Sequence, residues 1–284
     1  MVSVSPLHRR RGVLTSLMRR QLGELAAGGE AVAALWASDP VIYGRYGYGL
    51  AAWRQAFTVD TPASAFGPHG RALLAAGGVR PAPGDRPGGG TGGGAVGYNL
   101  HRTASSHADF VAAGTVTLQD LAAVTPAACA GLWRHLLDLD LITTWPRSTG
   151  RWPTRSRTCS PTTAGSATVG DALWVRVVDL PALAARAFAA PVDLLLEVTD
   201  ELLVANAVRW RVVARSGAAA EVQRTGAEPD LSLALEVLGA AHLGGTPLVD
   251  LALAGRVVEH RPGALAEATR AWSWSPAPWC PKVF

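Results

Sequence analysis

A chain of 284 residues in which 49% of the side chains are hydrophobic is long enough for two or three domains, each with a buried core. No apolar run approaches the roughly 18 residues of a membrane span, and the N-terminus lacks a secretory signal, so we expect a cytoplasmic protein. The net charge of +4 does not indicate nucleic-acid binding, because the arginines are spread along the chain rather than gathered on one element between aromatic residues.

The first fifteen residues predict a strand, a basic turn and the start of a helix. Residues 2–4 are β-prone, three consecutive arginines end at Arg11, and Gly12 precedes a helical pattern. Backbone N–H groups at a helix start have no partner within the helix and lie at the positive end of its dipole, so such a turn suits a phosphate group. The same pattern is also typical of a solvated helix start.

The helix that follows is predicted by apolar residues spaced three and four apart, and it ends near Gly28 and Gly29. We expect this apolar stripe to face the core. Its members are Val13, Leu14, Leu17, Met18, Leu22 and Leu25.

The next segment predicts a short strand, a short helix and another strand. Residues 32–35 are apolar, Ser38 is placed to cap the helix, and glycines from Gly44 onward end it. Residues 53–59 predict the further strand.

Two stretches in the middle of the chain are poor in core-forming residues. Half of residues 77–94 are glycine, which is typical of a flexible linker. Residues 143–168 contain no Val, Ile, Leu, Met, Phe or acid, so we do not expect them to fold alone, and their abrupt edges are typical of a local reading-frame error. Residues 126–141 predict one helix whose inner face carries Cys129, Leu132, Trp133, Leu136 and Leu137.

The chain from Val169 onward predicts strands alternating with short helices. We expect strands at 173–178, 192–199 and 208–214, and helices at 181–188, 235–242, 247–254 and 262–272.

The cysteines and histidines do not predict a metal site or a disulfide framework. Cys129, Cys159 and Cys280 are odd in number and have no CxxC spacing, and the histidines include no HExxH motif. We therefore expect reduced thiols and no metal.

A second block, residues 37–49 with the sequence ASDPVIYGRYGYG, follows the basic turn at a distance that leaves room for one helix and one strand. Together the two blocks resemble the enhanced intracellular survival (Eis) family of GNAT N-acetyltransferases, and the likeness extends through residues 1–60, 115–142 and 169–284. The acetyl-CoA loop of GNAT proteins has the pattern Arg or Gln, two variable residues, Gly, one variable residue, then Gly or Ala. In this chain Leu14 stands where that pattern has its final Gly or Ala.

The resemblance implies a mixed α/β fold in three parts. Residues 1–62 would form the C-terminal half of a GNAT domain, residues 63–168 a reduced GNAT-like middle region, and residues 169–284 a sterol-carrier-like α+β domain. For the last part we expect a packed core rather than a lipid tunnel. Because several strands and two helices precede this loop in the family, the chain would be N-terminally truncated, either through a misplaced gene start, which we favour, or as a true fragment.

The resemblance also implies which residues bind acetyl-CoA. Val2, Ser3 and Val4 would bind the pantetheine arm through their backbone, and Ser38 and Asp39 would form a second contact. The residues that would take the pyrophosphate are Arg10, Arg11, Gly12, Val13, Leu14 and Thr15.

The catalytic groups implied by the resemblance are Tyr43 and the terminal carboxylate of Phe284. An unperturbed phenol titrates near pH 10, so Tyr43 can give a proton to the departing thiolate. A free α-carboxyl group titrates near 3.3–3.7 and is a weak base, so the Phe284 carboxylate could instead hold the incoming ammonium or a relaying water. Tyr46 and Tyr48 are interpreted as packing residues.

We therefore predict an acetyl-CoA-dependent N-acetyltransferase that acetylates primary amines of a polycationic small molecule, such as an aminoglycoside, by direct attack. The family resemblance implies a homohexamer. Two alternatives remain open. One is a catalytically inert fragment that acts as a sterol-carrier-like lipid-binding or interaction protein, and the other is acetylation of protein lysines.

Overall fold

The computed structural model describes residues 4–37, 39–60, 71–72, 96–104, 107–108, 111–112, 114–139, 142–150, 167–215, 219–275, 277–278 and 280. The α-helices of these residues are α1 (Val13–Ala27), α2 (Pro40–Tyr43), α3 (Pro126–Leu137), α4 (Leu235–Ala241), α5 (Leu248–Leu253) and α6 (Ala264–Trp272). None of the helices in this described part is long and apolar enough to cross a membrane.

The strands follow the same chain order. They are β1 (Val32–Trp36), β2 (Gly49–Leu50), β3 (Trp53–Asp60), β4 (Gly97–Ala104), β5 (His107–Ala108), β6 (Val111–Ala112), β7 (Gly114–Ala123), β8 (Ile142–Gly150), β9 (Ala167–Asp171), β10 (Leu173–Val177), β11 (Val192–Thr199), β12 (Arg209–Ala214), β13 (Ala220–Arg224), β14 (Leu231–Ala234) and β15 (Val257–Glu259). Short 3-10 helices lie at Pro6–His8, Gly44–Tyr46, Leu180–Ala185 and Val204–Asn206.

The chain divides into two compact units. The first joins the described residues of Met1–Ala52 with Asp171–Pro278, and the second contains Trp53–Gly170. The sequence-based boundaries at residues 62 and 168 lie near these divisions. The structure differs in grouping the N-terminal segment with the C-terminal one and in assigning β3 to the second unit.

The first unit contains a three-stranded sheet in the order β1-β10-β2, with β10 antiparallel to both neighbours. Val175 of β10 lies opposite Ala34 on one side and Gly49 on the other. A strand is predicted here from the sequence, but as part of the C-terminal domain. Its hydrogen-bonding partners instead lie in the first fifty residues. The local sequence of β10 does not indicate this pairing.

Helix α1 packs beside this sheet through a narrower stripe than its sequence predicts. Met18 and Leu22 are buried against Tyr46 and Tyr48, and Leu14 and Leu25 pack at the edge of the same cluster. These positions of α1 are spaced four, four and three apart, as one helical face requires. Val13 and Leu17, which we expected in the core, are 39% and 47% exposed because they project from the neighbouring face.

The second sheet of the first unit has the order β13-β12-β11-β14-β15 and is antiparallel except between β11 and β14. Alternate residues of β11 are buried, starting at Val192, as expected for a strand with one face on the core. The core of this sheet includes Trp210, Trp272 and Phe188, and the rings of the last two meet edge to face at 4.6 Å. Helices α4, α5 and α6 match the three amphipathic helices predicted for this region.

One predicted helix of this region is wrong. Residues 181–188 were expected to form an alanine-rich α-helix, but the chain forms a 3-10 helix over Leu180–Ala185. Leu180 and Leu183 are both buried, and this spacing of three suits the three residues per turn of a 3-10 helix.

The second unit contains a sheet in the order β4-β7-β8-β3-β9 and a short hairpin of β5 and β6. Helix α3 begins after Thr125, whose hydroxyl accepts a hydrogen bond from Ala128 N at 3.1 Å. The predicted inner face of α3 is confirmed: Cys129, Trp133 and Leu136 are buried, and Leu132 and Leu137 pack against them.

The structure of the second unit corrects two predictions about the middle of the chain. Strand β3 was counted with the acetyltransferase half, but it pairs antiparallel with β8. The start of the stretch 143–168, which was not expected to fold alone, forms β8, because β3 and β7 supply partners for its backbone on both sides. The rest of that stretch from residue 151 to 166 and the glycine-rich residues 77–94 lie outside the described residues.

Candidate active site

Helix α1 begins at an open, basic N-terminus. Gly12 precedes the helix with φ 74°, and no side chain caps the first turn. The first intrahelical bond in this turn joins Ser16 N to Gly12 O at 2.9 Å, so the amides of the three preceding residues point outward without a helical acceptor. Arg10 and Arg11 are exposed beside them. This arrangement can bind an anion through backbone amides, the helix dipole and two guanidinium groups.

The segment before the helix is less regular than predicted. Val4 is not part of a strand, and its carbonyl accepts a hydrogen bond of 3.5 Å from Arg9 Nε. Val2 and Ser3 lie outside the described residues.

The cap of helix α2 is Asp39. Its carboxylate accepts a hydrogen bond from Val41 N at 3.1 Å, and Pro40 follows at a position where a missing N–H costs nothing. We expected Ser38 as the cap, but Asp39 is the residue adjacent to the first helical position. Ser38 lies outside the described residues.

Tyr43 ends helix α2 and begins a tight turn. The chain passes through the 3-10 helix Gly44–Tyr46 and then Gly47, which has φ 78°. Tyr48 N donates back to Tyr43 O at 3.3 Å and closes the turn. The Tyr43 and Tyr48 rings meet edge to face with 6.1 Å between their centres, and Tyr43 remains half-buried.

Tyr46 connects this turn to the basic helix start. Its ring is 3% exposed, and its hydroxyl lies 3.1 Å from Thr15 Oγ1 in the first turn of α1. The structure therefore brings the predicted pyrophosphate loop and the segment of the predicted acid together through this pair. We expected Tyr46 to pack, and it also makes this polar link.

Burial raises the pKa of the Tyr48 phenol, and the nearby Arg176 cation opposes this shift. Tyr48 therefore stays protonated at neutral pH.

Arg176 and Asp200 are two further residues of the site that we did not predict. Arg176 is fully buried, and its Nη2 donates to both carboxylate oxygens of Asp200 at 2.9 and 2.8 Å. Its Nη1 donates to the Tyr46 carbonyl at 2.5 Å. The sequence did indicate a buried arginine, because alternation along β10 places Arg176 on the same face as Trp174 and Val178.

The C-terminal tail runs beside the end of β2. Trp274 N donates to Gly244 O at 3.1 Å, and a Cβ at Gly245 would lie 2.7 Å from Pro278 and 3.2 Å from Ala51 O. Phe284 itself lies outside the described residues. Within the described ranges, no three His, Cys, Asp or Glu side chains lie close enough together to hold a metal ion.

Family models match three parts of the chain. An acetyltransferase (GNAT) domain matches residues 1–51, a second acetyltransferase (GNAT) domain matches residues 89–151, and a sterol carrier protein domain matches residues 181–281.

Relatives match the chain over its length. Uncharacterized N-acetyltransferases of Streptomyces coelicolor and Streptomyces avermitilis are 40% and 39% identical, over 100% of this chain and 80% of each relative. The N-acetyltransferase Eis of Mycobacterium tuberculosis is 29% identical over 90% of this chain and 72% of its own. The crystal structure of Eis1 from Mycobacterium abscessus has a TM-score of 0.73 at 29% identity and covers 100% of this chain and 81% of that one.

The fold and these matches define the class of the protein: an acetyl-CoA-dependent GNAT N-acetyltransferase with a C-terminal sterol carrier domain. Within that class, the chain belongs to the Eis-like family. The family and the mixed α/β fold class predicted from the sequence are confirmed.

Proposed function

We propose that the chain transfers acetyl from acetyl-CoA to primary amines of a polycationic small molecule of the aminoglycoside type. In this proposal the N-terminus of α1 holds the cofactor, Tyr43 is the general acid, and the Phe284 carboxylate is the base. The observation that carries it is the Thr15–Tyr46 contact, because it joins an uncapped basic helix start to the turn of Tyr43.

Cofactor binding is supported by the backbone of α1. Its open amides and the exposed Arg10 and Arg11 match the geometry and charge of a pyrophosphate. Val2, Ser3 and Val4 are proposed contacts for the pantetheine arm, and Ser38 and Asp39 form a second proposed contact. Of this second pair, Asp39 is exposed and its carboxylate already bonds Val41 N, so we propose that it acts chiefly by fixing the start of α2.

The acid role rests on the surroundings of Tyr43. The ring is half-buried and its backbone is fixed by Tyr48 N, so the phenol is presented from a closed turn rather than from a free loop. In the reaction the amine nitrogen bonds to the acetyl carbon as the carbon–sulfur bond breaks. The Tyr43 hydroxyl gives its proton to the sulfur, and the carboxylate accepts the proton that the amine loses.

The base role is supported by the course of the tail. Residues up to Pro278 pass Gly245 and the end of β2, and Thr246 Oγ1 donates to Leu50 O at 3.0 Å in the same place. The tail is thus held against the segment that follows the Tyr43 turn. By analogy with the family, we also propose that the protein is cytoplasmic and forms a homohexamer. Light scattering of the purified protein would test the oligomeric state.

The experiment is Tyr43→Phe, because phenylalanine keeps the ring and removes only the acidic proton. With kanamycin A as the amine, we expect kcat to fall by about 10²–10⁴, the usual contribution of acid–base help. The melting temperature should be unchanged. The control is Tyr98→Phe in the second unit, which should turn over normally. Wild-type kcat for Tyr43→Phe would remove the acid assignment.

A further inference from the structure

Three buried polar side chains of the first unit form one network under the Tyr43 turn. Among the described residues, the buried polar and charged side chains are Arg176, Asp200, Asn206 and Asp230. The first three bond to one another: Arg176 donates twice to Asp200, and Asn206 Nδ2 donates to Asp200 at 3.1 Å. Buried charges that are retained in a core need partners of opposite charge or hydrogen bonds, since an unpaired one is costly.

Asp200 is held rigidly by the chain that follows it. Besides Arg176 and Asn206, its carboxylate accepts hydrogen bonds from Leu202 N at 3.0 Å and Leu203 N at 3.2 Å. Because these donors are backbone groups of the same turn, the carboxylate has a fixed direction. It therefore fixes the guanidinium of Arg176 in turn. Asp200 lies in the segment that matches the sterol carrier domain.

The other side of the Arg176 guanidinium supports the Tyr43 turn. Nη1 donates to the Tyr46 carbonyl, and a Cβ on Gly47 would overlap this same nitrogen. The guanidinium thus fills the space directly beneath Tyr46 and Gly47. The turn has no room to settle closer to the sheet and loses a strong hydrogen bond if it lifts away.

We propose that Asp200 is a positioning residue for the general acid: through Arg176 it fixes the turn of Tyr43 and so the direction of the Tyr43 phenol. This inference rests on the proposed role of Tyr43. It gives the sterol carrier segment a part in catalysis without any contact with substrate. Asp200 acts on the rate of the chemical step and not on the binding of acetyl-CoA.

The first test needs no turnover. Hydrogen exchange is measured on Asp200→Asn, which keeps the size of the side chain and removes its charge. The amides of Gly47 and Tyr48 should exchange at least tenfold faster than in the wild type. The matched control is Asp193→Asn, which breaks an exposed Asp–Arg pair with Arg211 in the same unit and should leave these amides unchanged. Unchanged exchange in Asp200→Asn would overturn the proposal.

The second test is a double-mutant cycle in kcat, with kanamycin A as the amine. Asp200→Asn should lower kcat at least tenfold when Tyr43 is present and less than twofold in the Tyr43→Phe background, with KM for acetyl-CoA unchanged in both. A merely structural role would lower kcat equally in the two backgrounds. That result, with a normal loss for Tyr43→Phe, would overturn the positioning role alone. Wild-type kcat for Tyr43→Phe would overturn the acid assignment and this inference together.

A second variant, Arg176→Lys, tests the proposal if Asp200→Asn does not fold. Arg176→Lys keeps the charge beside Asp200, but one ammonium group cannot reproduce the fork that bonds Asp200 and the Tyr46 carbonyl together. If Asp200→Asn does not fold, Arg176→Lys should show the same faster exchange at Gly47 and the same dependence of its kcat effect on Tyr43. Wild-type exchange and kcat in Arg176→Lys would overturn the proposal.

Discussion

Gly47 combines a left-handed backbone conformation with close contact to the buried charge of Arg176. It has φ 78°, which side-chain-bearing residues rarely adopt, and its missing Cβ leaves room for Arg176. The local sequence predicts this glycine as a helix stop, but neighbouring residues carry no sign that an arginine from β10 approaches it closely.

Replacing Gly47 with alanine should therefore destabilise the protein by at least about 2 kcal/mol, from backbone strain and overlap with the guanidinium. Urea unfolding measures this change. The matched control is Gly226→Ala, since a Cβ there meets nothing within 4 Å and its φ is unremarkable. Equal stability of the two variants would contradict the arrangement described for Arg176.

His242 makes the stability of the protein depend on pH. Burial lowers its pKa to about 4, and the Arg186 cation adds to the shift. The unfolded chain therefore binds a proton at this residue at a higher pH than the folded chain does. Stability from this source is complete above pH 6.5 and falls as the pH drops toward 4, by roughly 3 kcal/mol in all.

His242→Gln removes the titrating group and should flatten this dependence. Urea unfolding of both proteins between pH 7 and pH 4.5 measures the difference between their slopes. Parallel slopes would show that His242 titrates alike in the folded and unfolded chains.

Elements with strong periodicity could be predicted from the sequence, whereas their partners could not. Helices α1, α3 and α6 follow from apolar residues spaced three and four apart, and β1 follows from an apolar run. The place of β10 between β1 and β2 depends on residues more than a hundred positions away. Strand pairing over such distances leaves no local pattern, and this also concealed the Arg176–Asp200 pair.

We predict that charge reversal at the start of α1 weakens cofactor binding. Arg10→Glu/Arg11→Glu should raise the Kd for acetyl-CoA at least tenfold, about 1.4 kcal/mol, because two carboxylates would face the pyrophosphate. Calorimetry measures the affinity.

The matched control is Arg19→Glu/Arg20→Glu, which makes the same change of charge on exposed positions further along α1. Its affinity should stay close to that of the wild type. If both double variants bind alike, the helix start is not the pyrophosphate site.

One compact unit contains residues from both the first acetyltransferase match and the sterol carrier match. Leu202 and Leu203 of the C-terminal segment pack on the cluster that contains Met18 and Leu22 of α1. The C-terminal segment is therefore part of the support of the candidate site. The family resemblance predicted the order of these parts, but not that they share a core.

The proposed base role of the Phe284 carboxylate predicts that the protein does not tolerate residues after Phe284. One added glycine moves the terminal carboxylate by about 3.3–3.6 Å, further than a proton transfer can span. We expect a steep fall in kcat/KM for the amine and an unchanged affinity for acetyl-CoA. A protein tagged at its N-terminus should stay active, and equal turnover of both proteins would exclude a role for the terminal carboxylate.

The most direct measurement is acetyl transfer by the purified chain itself. The protein is incubated with acetyl-CoA and kanamycin A, and mass spectrometry follows the amine while released CoA is titrated as free thiol. We predict one acetyl group on an amine nitrogen for each CoA released, and a much higher rate of transfer for the wild-type protein than for Tyr43→Phe. Release of CoA without acetylated amine would contradict the proposed acetyl transfer. So would no transfer by a folded protein that binds a fatty acyl probe, and that result would favour a lipid-binding role.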